Sequence, residues 1–339
     1  MNIEVLTDTV NAMMAEGKGL LAMDESTSTC NKRFAALNIP QTVEMRQKFR
    51  QWIVTTPGLN ESISGAILFD ETIRQRSDEN ILFADILKRA GILPGIKVDE
   101  GAVPMPAFPD EEITEGLDGL RQRLQEYKKF GARFAKWRAV IKIDEKIPTD
   151  GCIYANAHAL GRYAALCQEA DIVPIVEPEV LMDGNHSLDR CSEVTEKVLK
   201  KLFQQLYLQR IILEGMILKP NMIIEGTDHK KKSSVQEVAD ATIKCFLESV
   251  PAAVPGIAFL SGGQSSQLAS QHLNEMHFRY KNKLPWVVTF SFSRAIEYPA
   301  IEIWGGKDEN IKKAQEALYH RAKLNSAARK GEYRVGMEK

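Results

Sequence analysis

Residues 172–179, Ile-Val-Pro-Ile-Val-Glu-Pro-Glu, form a short apolar run that stops at the carboxylate of Glu177. A run of this length without polar alternation reads as a strand covered on both faces, the habit of parallel sheets. Seven further stretches repeat the design. They are LLAMD ending at Asp24, AILFDE at Asp70 and Glu71, ILPGIKVD at Lys97, FAKWRAVIKI with Lys136 and Arg138, IILEGMILK at Lys219, GIAFLSGG at Ser261, and WVVTFSFSR at Arg294. From Asp24 to Arg294 the steps between successive polar ends are 46, 27, 39, 41, 42, 42 and 33 residues. Each step has room for a strand, a loop and a helix.

The segments between the runs read as helices. Leu117, Leu120, Leu124 and Tyr127 fall at spacings that make one apolar stripe, and Val194, Val198, Leu202 and Leu206 do the same after the turn at Asp183-Gly184. Eight strand–helix units in series predict an α/β fold, a single (β/α)8 TIM barrel, rather than a doubly wound sheet. The latter would carry a Gly-rich nucleotide loop after an early strand, and none is found. Dividing 339 residues by about 150 per domain suggests two domains, yet a barrel absorbs the whole length as one unit. The expectation is therefore one domain over residues 1–339, with a short C-terminal segment after about 331.

Composition narrows the function. With 44 Lys+Arg against 45 Asp+Glu the net charge is −1, which argues against a nucleic-acid partner or an anionic membrane surface. The first residues carry Glu4 and Asp8 and lack the basic start and apolar stretch of a secretory signal. No window approaches about 18 consecutive apolar residues, so no membrane span is expected. Cys30, Cys152, Cys167, Cys191 and Cys245 are odd in number and include no CxxC, as expected of reduced, mostly buried thiols in a cytoplasmic protein. The sequons at Asn60 and Asn185 are then chance matches, and Lys230–Lys232 is expected to be a solvated loop.

In a barrel of this kind the chemistry sits at the C-terminal ends of the strands. The strand-end residues are Asp24, Lys97, Lys136, Arg138, Glu177, Lys219, Ser261 and Arg294. A charged residue often marks only where a strand leaves the core, but Lys136 and Lys219 lie among apolar neighbours, where lysine is rare without a partner or a purpose. Burial and nearby cations lower an ammonium pKa, and a neutral amine forms Schiff bases with carbonyls. Such a Schiff base is an electron sink, so an adjacent carbon–carbon bond can break or form without a metal. Glu177 is the candidate for proton transfer, whereas Glu179 is expected to be a loop or helix-start carboxylate. Asp24 is either a base toward a substrate hydroxyl or the cap of the following turn.

A second signature concerns phosphate. Ser261-Gly262-Gly263 follows the seventh run and Arg294 the eighth, the usual phosphate position of these barrels. Lys32 and Arg33, after Ser26 and Thr29, could hold another phosphate. Among the six histidines no metal-binding spacing occurs; His272 and His277 read as surface or packing residues of a helix, and no metal is expected.

Taken in order, GKGLLAMDES (17–26), ILFDET (67–72), GIKVDEG (95–101), FAKWR (134–138), VPIVEPE (173–179), LEGMILKPNM (213–222), FLSGGQS (259–265) and WGGK (304–307) closely resemble the class I, Schiff-base-forming fructose-bisphosphate aldolases. The resemblance spans about residues 17 to 330. It implies that Lys219 is the Schiff-base lysine, so that no separate cofactor is needed, and that Glu177 is the acid/base of carbinolamine dehydration. Asp24 is implied to assist deprotonation of the C4 hydroxyl, Lys136 to support charge and proton transfer, and Lys97 to be a further cation of the site. Ser261, Gly262 and Arg294 match the C1-phosphate site. Ser26, Thr29, Lys32, Arg33 and Arg138 fall in the region of the C6 phosphate and the substrate hydroxyls. The resemblance also implies a small bisphosphate sugar as substrate and a homotetramer.

Three departures stand out. The chain stops six residues after Tyr333, without the tail ending in tyrosine that assists proton exchange in animal and plant members. Ser28 and Ser293 stand where the family has glycine. At Ser293 a positive φ would bring strain. The competing reading, a non-catalytic scaffold on the same barrel, predicts the loss of at least one of Lys219, Lys136, Glu177 or Asp24, and all four are present. Two basic clusters favour a bisphosphate over a monophosphate.

Overall fold

The structure is a computed structural model and describes residues 1–338. Eight strands close a parallel barrel: β1 Gly19–Met23, β2 Ile63–Leu68, β3 Leu93–Lys97, β4 Phe134–Ile141, β5 Val173–Val180, β6 Ile217–Leu218, β7 Gly256–Phe259 and β8 Val287–Phe292. They pair in chain order, and β8 closes on β1 through Leu20–Ser291 and Leu21–Phe292. This is the predicted (β/α)8 barrel. Helices separate the strands, and an antiparallel hairpin of Gly101–Pro104 and Glu112–Glu115 is inserted after β3. Both apolar stripes read from the sequence are buried in helices, at Leu120–Lys129 and Leu188–Leu208, with Leu117 lying just ahead of the first.

The period of two along each strand organises the interior. Leu20 and Ala22 of β1, Ile67 of β2, Phe134 of β4, Val173 and Ile175 of β5, Ile217 of β6 and Ala258 of β7 form one buried cluster inside the barrel. The intervening residues, such as Trp137, Val176 and Phe259, face the helices and belong to the outer core. Helix Ile3–Met13 closes the barrel from its N-terminal end with Leu6, Val10 and Met13. Burying each such side chain contributes roughly 1.5–3 kcal/mol, so the floor beneath the site is rigid.

Two glycines make room at the axis. A Cβ on Gly95 would lie 2.1 Å from the Phe134 ring, and one on Gly65 would lie 2.9 Å from it. In the outer layer the Tyr163 hydroxyl donates to the carbonyls of Ala135 (2.8 Å) and Ile175 (3.1 Å), tying a helix to β4 and β5. All five cysteines are free and buried; burial pushes Cys30 and Cys191 up to about 11 and Cys152 and Cys245 to about 12, so none is a reactive thiolate near neutrality. After Gly331 the chain folds back, and Glu338 accepts from Arg321 and from the Tyr333 hydroxyl, each at 2.7 Å. Among the described residues no helix is long and apolar enough to cross a membrane.

Candidate active site

The inward phase of each strand does not end with the apolar cluster. Two residues beyond Phe134 stands Lys136, and two beyond that Arg138; two beyond Ile175 stands Glu177, then Glu179; two beyond Ala22 stands Asp24; two beyond Ile217 stands Lys219. The strand register sets their heights, since Lys97 pairs with Lys136 and Arg138 with Glu177. All of them line a cavity of about 1190 Å³ at the C-terminal ends of the strands. The thirteen site residues singled out in the sequence converge there: the four candidate catalytic groups together with Ser26, Thr29, Lys32, Arg33, Lys97, Arg138, Ser261, Gly262 and Arg294.

Four of these groups form a chain of charge at the base. Lys219 Nζ lies 3.2 Å from Glu177 Oε1, Lys136 Nζ lies 3.4 Å from Glu177 Oε2, and Lys136 Nζ lies 2.6 Å from Asp24 Oδ2. All four residues are buried. Burial alone would raise the Glu177 pKa, but the charges of Lys219, Lys136 and Arg138 outweigh it and hold the carboxylate below its ordinary range. The same contest, with Lys136 and then Lys219 opposing burial, lowers Asp24. Lys136 corrects the expectation of a depressed ammonium. Burial opposes its charge, yet Asp24, Glu177 and Asp99 surround it and its pKa is raised. It is therefore the fixed cation of the group.

The phosphate-side residues divide into two kinds. Arg294 opens helix Arg294–Trp304 beside the loop at Gly263, Lys32 is exposed on helix Thr27–Ala36, and neither makes an ion pair among the described residues. Lys97, Arg138 and Arg33 already have carboxylate partners. Lys97 reaches Asp99 at 2.7 Å, Arg138 meets Glu179, and Arg33 meets both Glu25 and Glu297. Ser26 is the N-cap of its helix, accepting from the Thr29 amide at 3.3 Å, and its hydroxyl contacts those of Ser28 and Thr29. The capping role considered for Asp24 therefore belongs to Ser26. Gly262 and Gly263, at φ +57° and +83°, form a turn after β7 whose amides have no partner among the described residues. Successive amides in such a turn suit an anion.

Two other expectations are corrected. Glu179 is not a loop carboxylate; it lies inside β5, buried against Arg138. Ser293 does not adopt a positive φ; its φ is −109°. Its hydroxyl donates to Glu25 Oε1 at 2.8 Å and accepts from Arg33 Nη2 at 3.1 Å, so it belongs to a buried network completed by Arg50 and Glu297. Reading strand ends alone missed Asp99, Ser291, Glu25 and Glu297. Asp99 and Ser291 continue the period of two through Lys97 and Ser293 and could have been found that way. Glu25 and Glu297 come from opposite ends of the chain and leave no such pattern.

His272 and His277 are packing residues, buried in helix Ser266–Tyr280. Among the described residues no cluster of three or more His, Cys, Asp or Glu is arranged to hold a metal. The loop at Lys230–Lys232 is exposed.

Comparison with known proteins places the chain in context. The family described as glycolytic fructose-bisphosphate aldolase class-I matches residues 5–339. A probable fructose-bisphosphate aldolase class 1 of Xanthomonas axonopodis pv. citri is 53% identical over 98% of this chain and 100% of its own. The cytosolic fructose-bisphosphate aldolase 4 of Arabidopsis thaliana is 48% identical over 94% of this chain and 81% of its own. The solved fructose-bisphosphate aldolase of Plasmodium falciparum superposes with a TM-score of 0.96 at 45% identity, covering 98% of this chain and 96% of that one.

Proposed function

The chain belongs to the class I fructose-bisphosphate aldolase family, and on that premise we propose that Lys219 carries the reaction as a Schiff base, with Glu177, Asp24 and Lys136 dividing the proton and charge work. The activity is that of an aldehyde-lyase: fructose 1,6-bisphosphate is cleaved reversibly to dihydroxyacetone phosphate and glyceraldehyde 3-phosphate. The Lys219 amine attacks the C2 carbonyl, forming the carbon–nitrogen bond of a carbinolamine. Glu177, 3.2 Å from Lys219 Nζ, takes the proton shed by nitrogen and returns one to the departing hydroxyl, which leaves as water. Asp24 then accepts the C4 hydroxyl proton. The C3–C4 bond breaks, its electron pair forms the C2–C3 double bond of an enamine as the π pair of the protonated C2–nitrogen bond moves onto nitrogen, and glyceraldehyde 3-phosphate departs. Protonation of the enamine at C3 and hydrolysis release dihydroxyacetone phosphate and free Lys219.

Lys136 supports this reading most directly. It holds one permanent positive charge between the two carboxylates that exchange protons, so each stays ionised until substrate brings a proton to it. The free cations Lys32 and Arg294 and the amides of Gly262 and Gly263 suit phosphate, with Ser26, Thr29, Arg33, Lys97, Arg138 and Ser261 around the substrate. We read the enzyme as metal-free, as one eight-unit domain over residues 1–339, as cytoplasmic like its cytosolic plant relatives, and as a homotetramer without nucleic-acid or membrane partners. Exposed Tyr207, Leu208 and Phe278 are available to contacts between subunits. Borohydride reduction in the presence of dihydroxyacetone phosphate should trap the ketose on Lys219, and a chelator should leave turnover unchanged. An active preparation labelled elsewhere would overturn the assignment. Kinetics on fructose 1,6-bisphosphate and fructose 1-phosphate would measure what the second basic cluster contributes.

A further inference from the structure

We propose that His272 is a positioning residue that acts through Gln264 to aim the amides of the Ser261-Gly262-Gly263 loop, and that it thereby sets the preference for phosphorylated ketoses. The inference rests on the function proposed above and concerns side chains that do not touch substrate.

The geometry is a continuous buried chain of contacts. The Ser261 carbonyl accepts twice from Gln264, from its backbone N–H at 3.0 Å and from its side-chain Nε2 at 2.8 Å. In a planar trans peptide the carbonyl and the following N–H point in opposite directions. Holding the Ser261 oxygen toward Gln264 therefore turns the Gly262 N–H away from it, toward the cavity that Ser261 and Gly262 line. Two left-handed glycines in succession would otherwise leave this peptide free to flip.

The Gln264 side chain is itself fixed. A carbonyl only accepts, so Gln264 must present its NH2 to Ser261 and its Oε1 to His272 Nδ1, 2.6 Å away. This assigns the proton of the neutral imidazole to Nδ1. Burial pushes the His272 pKa down to about 4, so the ring is neutral at working pH. His272 is anchored in turn. Its helix is capped by Ser265, and two residues earlier Ser270 Oγ contacts Asn325 Oδ1 at 2.8 Å and Arg321 Nη2 at 2.8 Å. The loop is thus referenced to a rigid helix on the outer layer.

The test compares three variants with the parent enzyme. His272→Leu keeps the bulk and removes the donor, Gln264→Met breaks the next link, and His272→Asn restores a side-chain N–H at the Nδ1 position. His272→Leu and Gln264→Met should each raise KM for fructose 1,6-bisphosphate and the competitive Ki of inorganic phosphate about 3–10-fold, the size of one lost hydrogen-bonded link, with kcat within about two-fold. His272→Asn should stay close to the parent. Borohydride trapping of unphosphorylated dihydroxyacetone on Lys219 should be unchanged in all three, which general damage to the fold would not allow. If His272→Leu does not fold, Gln264→Met carries the test. Unchanged phosphate Ki in the two disrupting variants, or a parallel loss of dihydroxyacetone trapping, would overturn the inference while leaving the function intact. A parent enzyme that does not trap dihydroxyacetone phosphate on Lys219 would overturn both.

Discussion

Lys136 lies 2.6 Å from the Asp24 carboxylate, and both side chains are almost sealed from solvent. Because Lys136 also reaches Glu177 at 3.4 Å, it is the one ammonium that contacts both buried carboxylates, Lys219 pairing with Glu177 alone. A buried ion pair is costly to break, since removing one partner strands the other. The arrangement is therefore more vulnerable at Lys136 than at either acid.

Replacing Lys136 by Met should lower kcat by about 10²–10⁴, the usual worth of a group in proton transfer. It should also move the acid limb of the pH–rate profile upward. Asp24 and Glu177 are held below ordinary carboxylate values against the effect of burial, and Lys136 supplies part of that opposition to both. Their ionised forms stabilise the fold above the unfolded pKa values of 3.8 and 4.5, and this stability is lost as pH falls through the lower folded values. In the variant that loss should begin at a higher pH. An acid limb that stays in place would show that Lys136 does not govern the two carboxylates.

The network behind the phosphate side separates two acids of opposite sign. Burial raises both pKa values, but Glu25, 2.6 Å from Arg50 and in contact with Arg33, is pulled well below the ordinary range. Glu297, facing Glu25 and 4.0 Å from Arg50, is pushed well above it. A depressed acid contributes stability above its unfolded pKa; a raised acid contributes below its unfolded pKa and loses that contribution as pH rises through the folded value. Glu25→Gln should therefore destabilise at pH 7, by about 3–5 kcal/mol. Glu297→Gln should be neutral or stabilising, increasingly so on the alkaline side. Urea melts across the pH range decide this, and equal losses for both variants at every pH would refute it.

Much of the site was legible because the barrel strands have a strict period of two. Lys136, Glu177 and Lys219 extend the same inward rows as Phe134, Ile175 and Ile217, so a reader who finds the rows also finds the chemistry. The rows do not state which cations are already engaged by other side chains. Arg138 with Glu179 could have been seen from neighbouring register, whereas Arg33 with Glu297 joins residues 264 apart and depends on barrel closure. The backbone at Ser293 was equally hidden. A glycine in relatives suggests freedom the position needs, but here φ is −109° and the serine hydroxyl has been drawn into the ion network.

That placement gives Ser293→Gly a definite sign. No positive φ is relieved, two hydrogen bonds to Glu25 and Arg33 are lost, and the unfolded chain gains freedom. Stability should fall by about 1–2 kcal/mol. A glycine variant that melts later than the parent would refute the stabilising role given to the serine hydroxyl.

The barrel axis offers the most severe test of how the floor supports the site. Gly95 and Phe134 are register partners on β3 and β4, and a Cβ on Gly95 would fall 2.1 Å from the Phe134 ring, far inside contact distance. Gly95→Ala must displace the ring or part the strands, at about 1–3 kcal/mol or more, as overpacking costs. Since Lys136 is two residues along the same strand, kcat should fall in the same variant. Phe134→Leu alone leaves a void at the axis and should also destabilise the fold. Combined with Gly95→Ala, however, the smaller side chain yields space to the new methyl group. The double variant should be more stable than the sum of the two single losses by at least about 0.5 kcal/mol, the coupling expected of residues in contact. Strict additivity in that cycle would show that the ring and the glycine do not share the space assigned to them.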